Sequence, residues 1–182
     1  MHRFVTNHLP AFQQVLAVYG IISLIVYSWT LLEFFWRLPS WEFYMSVGDI
    51  AVQFAYSMAT NFLESLTVLA GLLFLCAIVP ARWFKDLFLS VGSLLVILGL
   101  AYFMYFAIHS TSRDDTYPTS LVRSAPAVAA LILIVSMGLG RVPLIRRVMD
   151  GLADRATIFS YVLPPIGAVS LLIVIARNIL KV

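Results

Sequence analysis

The chain has 182 residues, of which 62% are hydrophobic and only 12% charged, with a net charge of +3 and a mean hydropathy of +0.95. A water-soluble domain carries about 45–50% apolar and about 25% charged residues, so this composition cannot cover a globular surface in water. It excludes a soluble enzyme, a disordered tail and a secreted disulfide module. The expected fold is all-α: a polytopic integral membrane helical bundle with about five transmembrane helices of about 20 residues each and one interfacial amphipathic helix.

The length fits a single transmembrane domain over 1–182, with no stretch outside the apolar segments long enough for a second folded unit. The sequence pI near 9.2 points to anionic lipid headgroups and cytoplasmic loops as partners, not to nucleic acid. The single cysteine, Cys76, lies inside an apolar run and cannot form an internal disulfide.

Residues 4–32 contain no charged side chain, and Pro10 with Gln13 and Gln14 marks the start of the first span, placed at 15–36. It ends in Phe34, Phe35 and Trp36 with Arg37 behind them. A cleavable signal has a shorter apolar core and small residues before its cleavage site, so this segment reads as an anchor that stays. The loop 37–49, with Trp41, Phe43 and Tyr44, is expected to lie at headgroup level, where amphipathic rings are favoured.

From 50 to 81 the only charge is Glu64. A single helix of that length would run about 48 Å against a hydrocarbon core of about 30 Å, so it must be tilted, broken or extended beyond the bilayer. The spanning part is placed at 58–80, anchored by Arg82 and Lys85. The third span, 87–108, is free of charge. After a polar loop with Asp114 and Asp115 comes the fourth, 124–140, only about 17 residues long and at the short end of the range. The fifth, 156–176, contains Pro164-Pro165, a pair expected to kink the helix by removing backbone donors.

Between the last two spans, 141–155 reads RVPLIRRVMDGLADR. Leu144, Ile145, Val148, Met149 and Leu152 fall at helical spacing opposite Arg146, Arg147, Asp150 and Asp154. This pattern predicts an interfacial amphipathic helix after Pro143. Five spans put the termini on opposite sides, with seven Lys and Arg on the N-terminal side and five on the other. Arg141, Arg146, Arg147 and Arg155 form the densest cluster, in a short loop where the positive-inside rule acts most strongly. The N-terminus is therefore expected in the cytoplasm and the C-terminus outside, in a cell-membrane protein. The same arginines are candidate lipid-headgroup contacts.

The main candidate functional feature is a polar stripe in the second span. Asp49, Gln53, Ser57, Thr60, Glu64, Thr67 and Gly71 are spaced 4, 4, 3, 4, 3 and 4 apart, which keeps them on one helical face, with Asn61 beside them. An ionisable group inside a span is costly, so Glu64 is expected to face protein or water. The stripe reads as a helix–helix seam of small and hydroxyl residues, or as a solute or proton path with Glu64 as its titrating carboxylate. Packing is the favoured reading.

The segment Asp150-Gly151-Leu152-Ala153-Asp154-Arg155 resembles the start of the CDP-alcohol phosphatidyltransferase signature. That family's pattern is Asp-Gly-x-x-Ala-Arg, then eight residues, Gly, three residues, Asp, three residues and Asp. Its chemistry needs all those carboxylates to hold two cations against a diphosphate. Here Asp154 replaces the Ala, and the later positions are Pro164, Ala168 and Leu172. Both distal aspartates are missing, so the resemblance implies no transferase activity.

His2, His8 and His109 provide no pair at one depth for a haem, and no His/Cys cluster has metal-ligand spacing. Serine-nucleophile motifs, a P-loop and a dinucleotide fingerprint are absent from the sequence. Small-xxx-small pairs at Ala125/Ala129, Ser136/Gly140 and Ala156/Ser160 fit close helix packing. The expectation is a protein without its own catalytic site, cofactor or metal. It would serve as a structural or accessory subunit beside other membrane proteins. A small transporter or substrate-binding component, using Glu64 and the Pro164-Pro165 break, is the alternative.

Overall fold

A backbone in hydrocarbon must close its own hydrogen bonds, and a helix does so within one segment. The computed structural model describes residues 10–79, 87–110 and 119–180, and these form five helices without a strand: α1 (Phe12–Trp41), α2 (Val47–Ile78), α3 (Phe88–Ser110), α4 (Thr119–Leu139) and α5 (Pro143–Leu180). By length and composition α1, α2, α3 and α5 are apolar enough to cross a membrane, whereas the apolar stretch of α4, Arg123–Leu139, is shorter. The chain is an all-α membrane bundle. The anchors Arg82 and Lys85, the loop acids Asp114 and Asp115, and the tail histidines His2 and His8 lie outside the described residues.

Consecutive helices run up and down. Thr30 meets Asn61 and Tyr19 meets Ser65 across α1 and α2. Tyr102 near the end of α3 meets Ser124 near the start of α4 at 3.2 Å. Gly140, just past α4, abuts Val91 at the start of α3. The start of α5 returns to the start of α1, where Gly20 faces the Ala156 carbonyl.

Several boundaries depart from the sequence reading, among them the start of α4, at Thr119 and not at 124; three others follow from visible contacts. The first helix continues through Pro39 to Trp41, because Phe34 packs edge-on against both Trp41 and Phe54, at centroid distances of 5.4 and 5.3 Å. The second begins at Val47, fixed by a capping box: the Asp49 amide donates to Ser46 Oγ at 3.2 Å, and the Ser46 amide to Asp49 Oδ2 at 3.1 Å. It then runs unbroken for 32 residues. The third change is larger. The amphipathic segment is helical, as its periodicity predicts, but it forms the first turns of the 38-residue α5 and not a separate helix. At about 57 Å, α5 is far longer than the bilayer core is thick.

Pro164-Pro165 does not interrupt α5, and Pro164 is buried in the bundle. The reason lies in the neighbouring turns. Ala153, Ala156, Ser160, Pro164, Gly167 and Ser170 make a buried seam of small residues that packs on α1 and α2. Packing of the turns on both flanks against α1 and α2 keeps the chain helical across the proline pair. Leu144, Val148 and Leu152 stay exposed on the other side.

The core centres on α1, whose Val18, Ile21, Ile22 and Tyr27 are almost fully buried. It packs on α5, α2 and α3, while α4 leans on α3. The neighbours α2 and α3 touch only marginally. Between them a groove stays open.

Candidate functional site

The predicted stripe divides among three environments. Asp49 is consumed by the cap of α2, where its Oδ2 also accepts from Ser46 Oγ at 2.7 Å. Gln53 and Ser57 line a crevice of about 60 Å³ beside Thr30, Glu33 and Arg37. There Glu33 and Arg37 form an ion pair at 3.5 Å on one face of α1. Asn61 is buried against α1, at 2% exposure, and its Oδ1 accepts from Thr30 Oγ1 at 2.8 Å. Only Thr60, Glu64, Thr67 and Gly71 share one surface, the wall of the α2–α3 groove.

That groove has a volume of about 640 Å³. Its floor is Val26 of α1, and Leu95, Gly99 and Phe103 of α3 form the opposite wall. A second groove of about 490 Å³ adjoins it between α3 and α4, where Ala125 and Ala129 lie. The walls of both are almost wholly apolar. Glu64 is the one ionisable side chain among the residues lining the larger groove. It is exposed there and makes no hydrogen bond or ion pair with the described residues.

The neighbouring hydroxyls are turned inward. Thr60 Oγ1 donates to the Tyr56 carbonyl at 3.0 Å and Thr67 Oγ1 to the Leu63 carbonyl at 2.8 Å. Such back-bonding spends the single hydroxyl proton within the helix and leaves oxygen lone pairs outward. The groove therefore offers acceptors and no hydroxyl donor.

The face of α2 that packs inside the chain is the adjacent one: Met58, Asn61, Ser65, Leu72 and Cys76 are buried. The sequence reading missed a polar set on α1, Tyr19, Ser23, Tyr27 and Thr30, spaced 4, 4 and 3 apart, of which Tyr19 and Thr30 meet Ser65 and Asn61 of this face. The signal was available as polar residues at helical spacing in an otherwise apolar span. Ser65 Oγ donates to the Phe62 carbonyl at 2.9 Å, so the Tyr19 hydroxyl donates to Ser65 Oγ at 3.3 Å. The Asn61 amide nitrogen has no partner among the described residues.

Thr30 is therefore the residue that anchors Asn61. Thr30→Val keeps the shape and removes the donor. It is expected to lower stability in detergent by about 0.6–1.7 kcal/mol, the scale of interhelical polar contacts in membranes. Thermal denaturation of the purified protein checks this, and an unchanged midpoint would show that Asn61 finds another donor.

Arg141, Arg146, Arg147 and Arg155 are all exposed around the start of α5, at the end of the bundle that also holds the start of α1. Among the described residues no group of three or more His, Cys, Asp or Glu is placed to hold a metal ion. Comparison with known proteins gives no matching family model, no similar curated protein and no similar solved structure.

Proposed function

We propose that this membrane protein is a non-catalytic, structural or accessory subunit of a larger membrane assembly. One observation carries the reading. Helix α2, which is long and apolar enough to cross a membrane, presents Glu64 on the wall of an open apolar groove, exposed and without a hydrogen bond or ion pair among the described residues. A carboxylate facing lipid is costly, and intramembrane ionisable groups face protein or water. A neighbouring protein seated in the groove removes that cost and covers the exposed polar stripe.

Purification in mild detergent followed by native mass spectrometry tests this. The expected particle contains the chain with at least one other membrane protein. A stable monomer with no associated protein would overturn the proposal.

The transporter reading retains one supporting observation, that Glu64 lines a cavity and is not sealed in a seam. The nearly apolar walls favour a protein neighbour over a polar solute.

The proposed orientation places the N-terminus in the cytoplasm. It is supported by the shared position of the α1 start and the arginine cluster at one end of the bundle. A reporter fused after Val182 is expected to be active outside the cytoplasm, and one fused to a chain ended at Val142 inside it. The reverse pattern would refute the orientation.

A further inference from the structure

We infer that two copies of this chain pair face to face, with α4 of each seated in the α2–α3 groove of the other and Arg123 of one copy against Glu64 of the second. The inference rests on that part of the proposed function in which a protein covers the groove. Its first support is the order of the surface. The two grooves adjoin on one face and share Leu75, Leu95, Gly99 and Phe103, so the face reads α2, larger groove, α3, smaller groove, α4. A two-fold rotation reverses that order, and an isologous interface sets the patch against its own reverse. When α4 of one copy enters the larger groove of the other, α3 falls into the smaller one, and both fits repeat in the opposite sense. One rotation thus fills the grooves of both copies with helices of this chain.

The charges match at one depth. A Cβ at Gly92 would stand 3.5 Å from Leu72 Cδ2, and counting from there along the antiparallel pair sets Glu64 level with Leu100. Tyr102, just beyond, meets Ser124 of α4 at 3.2 Å, and Arg123 is the next residue. At 1.5 Å per residue, Arg123 lies within about 5 Å of the level of Glu64. Both side chains are exposed, and neither makes a hydrogen bond or ion pair with the described residues. Within one chain α3 stands between them. Copies of one protein insert in the same orientation, so the two-fold axis runs along the membrane normal and leaves every residue at its own depth. That rotation brings Arg123 of one copy to the level of Glu64 of the other. A guanidinium is the donor that complements a carboxylate flanked by Thr60 and Thr67, whose hydroxyl protons are spent on Tyr56 and Leu63.

The approach is sterically open. Arg123, Ala127, Ala130, Ile134 and Gly138, spaced 4, 3, 4 and 4 apart, form one exposed face of α4. A Cβ at Gly71 or Gly99 in the larger groove, or at Gly138 of α4, would meet nothing within 4 Å. Small residues on both sides of a contact let helices approach closely. An acyl chain would fill the same apolar volume but leave Glu64 and Arg123 unmatched.

The test co-expresses two differently tagged forms of the full chain, one with Thr67→Cys and one with Ala130→Cys, and oxidises them in the membrane. By the same count Ala130 is level with Val68, next to Thr67. A disulfide-linked dimer bearing both tags is expected, and none from the parent, whose Cys76 is buried. Energy transfer between labelled copies in vesicles measures the affinity. Arg123→Leu and Glu64→Leu are each expected to lower the dimerisation constant about 3- to 20-fold for each of the two pairs, the range given by interhelical polar contacts in membranes. Arg123→Glu is expected to abolish pairing, and adding Glu64→Lys to restore it. Because neither residue has a partner within the described chain, both Leu variants should leave the melting of the monomer in detergent unchanged.

The absence of a doubly tagged adduct would overturn the inference. So would an association indifferent to Arg123→Leu, or a charge-exchanged chain that inserts but stays monomeric. The subunit reading is decided separately, by the composition of the native particle. A particle holding only copies of this chain would leave the pairing intact and sink that reading, whereas a particle with another protein and no adduct between copies would do the reverse.

Discussion

Gly20→Leu is expected to separate α1 from α5 and to destroy the compact bundle. A Cβ at Gly20 would overlap the Ala156 carbonyl and stand 3.0 Å from Thr157 Cα. These are backbone atoms, which cannot rotate aside as a flexible side chain would. Overpacking a core costs typically about 1–3 kcal/mol where side chains can give way. Here the helix itself must move, and the expected loss exceeds about 3 kcal/mol. Gly71 supplies the control, since nothing lies within 4 Å of a Cβ there. Gly71→Leu should leave the isolated protein as stable as before, or slightly more so, since glycine disfavours a helix interior by about 1 kcal/mol. Size-exclusion profiles and melting curves in detergent compare the two. If Gly20→Leu runs and melts like the parent, the α1–α5 crossing is not the centre of the fold.

Glu64 carries the second large effect, and it falls on assembly, not on folding. In the subunit reading, Glu64→Leu removes the acceptor that a partner uses and weakens association by at least about 0.6–1.7 kcal/mol. Glu64→Gln keeps an amide oxygen to accept a hydrogen bond but loses the negative charge, so its assembly should fall between parent and Glu64→Leu. In the transporter reading the order differs. An amide cannot ionise, so Glu64→Gln would abolish transport while leaving the protein's associations intact. Quantifying the assembled fraction and any solute flux for both variants separates the readings. Loss of flux in Glu64→Gln with normal assembly would overturn the subunit proposal.

The membrane class and the helices follow from composition and from runs of apolar residues, because lipid leaves a chain of this hydropathy few other ways to satisfy its backbone. The charge-free third span and the amphipathic periodicity of 141–155 were legible for that reason. So was the position of Glu64, since one carboxylate in a long apolar run stands out whatever surrounds it. What a helix faces is a different matter. The spacing of Thr60, Glu64 and Thr67 puts them on one side of α2 but does not say whether that side meets α1, lipid or an open groove. A rotation of about 100° per residue separates the stripe from Asn61 and Ser65, and that rotation is fixed by how α2 rests on α1 and α5.

The two prolines show the same division. Their sequence predicts a kink, because local chemistry removes two amide donors, and whether the helix ends there is left to its neighbours; α5 continues through them. Its small-residue seam meets α1 at Gly20 and the α1–α2 pair at Gly167, where Tyr27, Met58 and Phe62 converge. The sequence by itself determined which segments are helical and where the lone charge sits, since both depend on short-range energetics. Only the tertiary structure decided that α5 is one long helix and that Glu64 opens onto a groove. Both depend on contacts between residues more than a hundred positions apart, or on the failure of the chain neighbours α2 and α3 to close against each other.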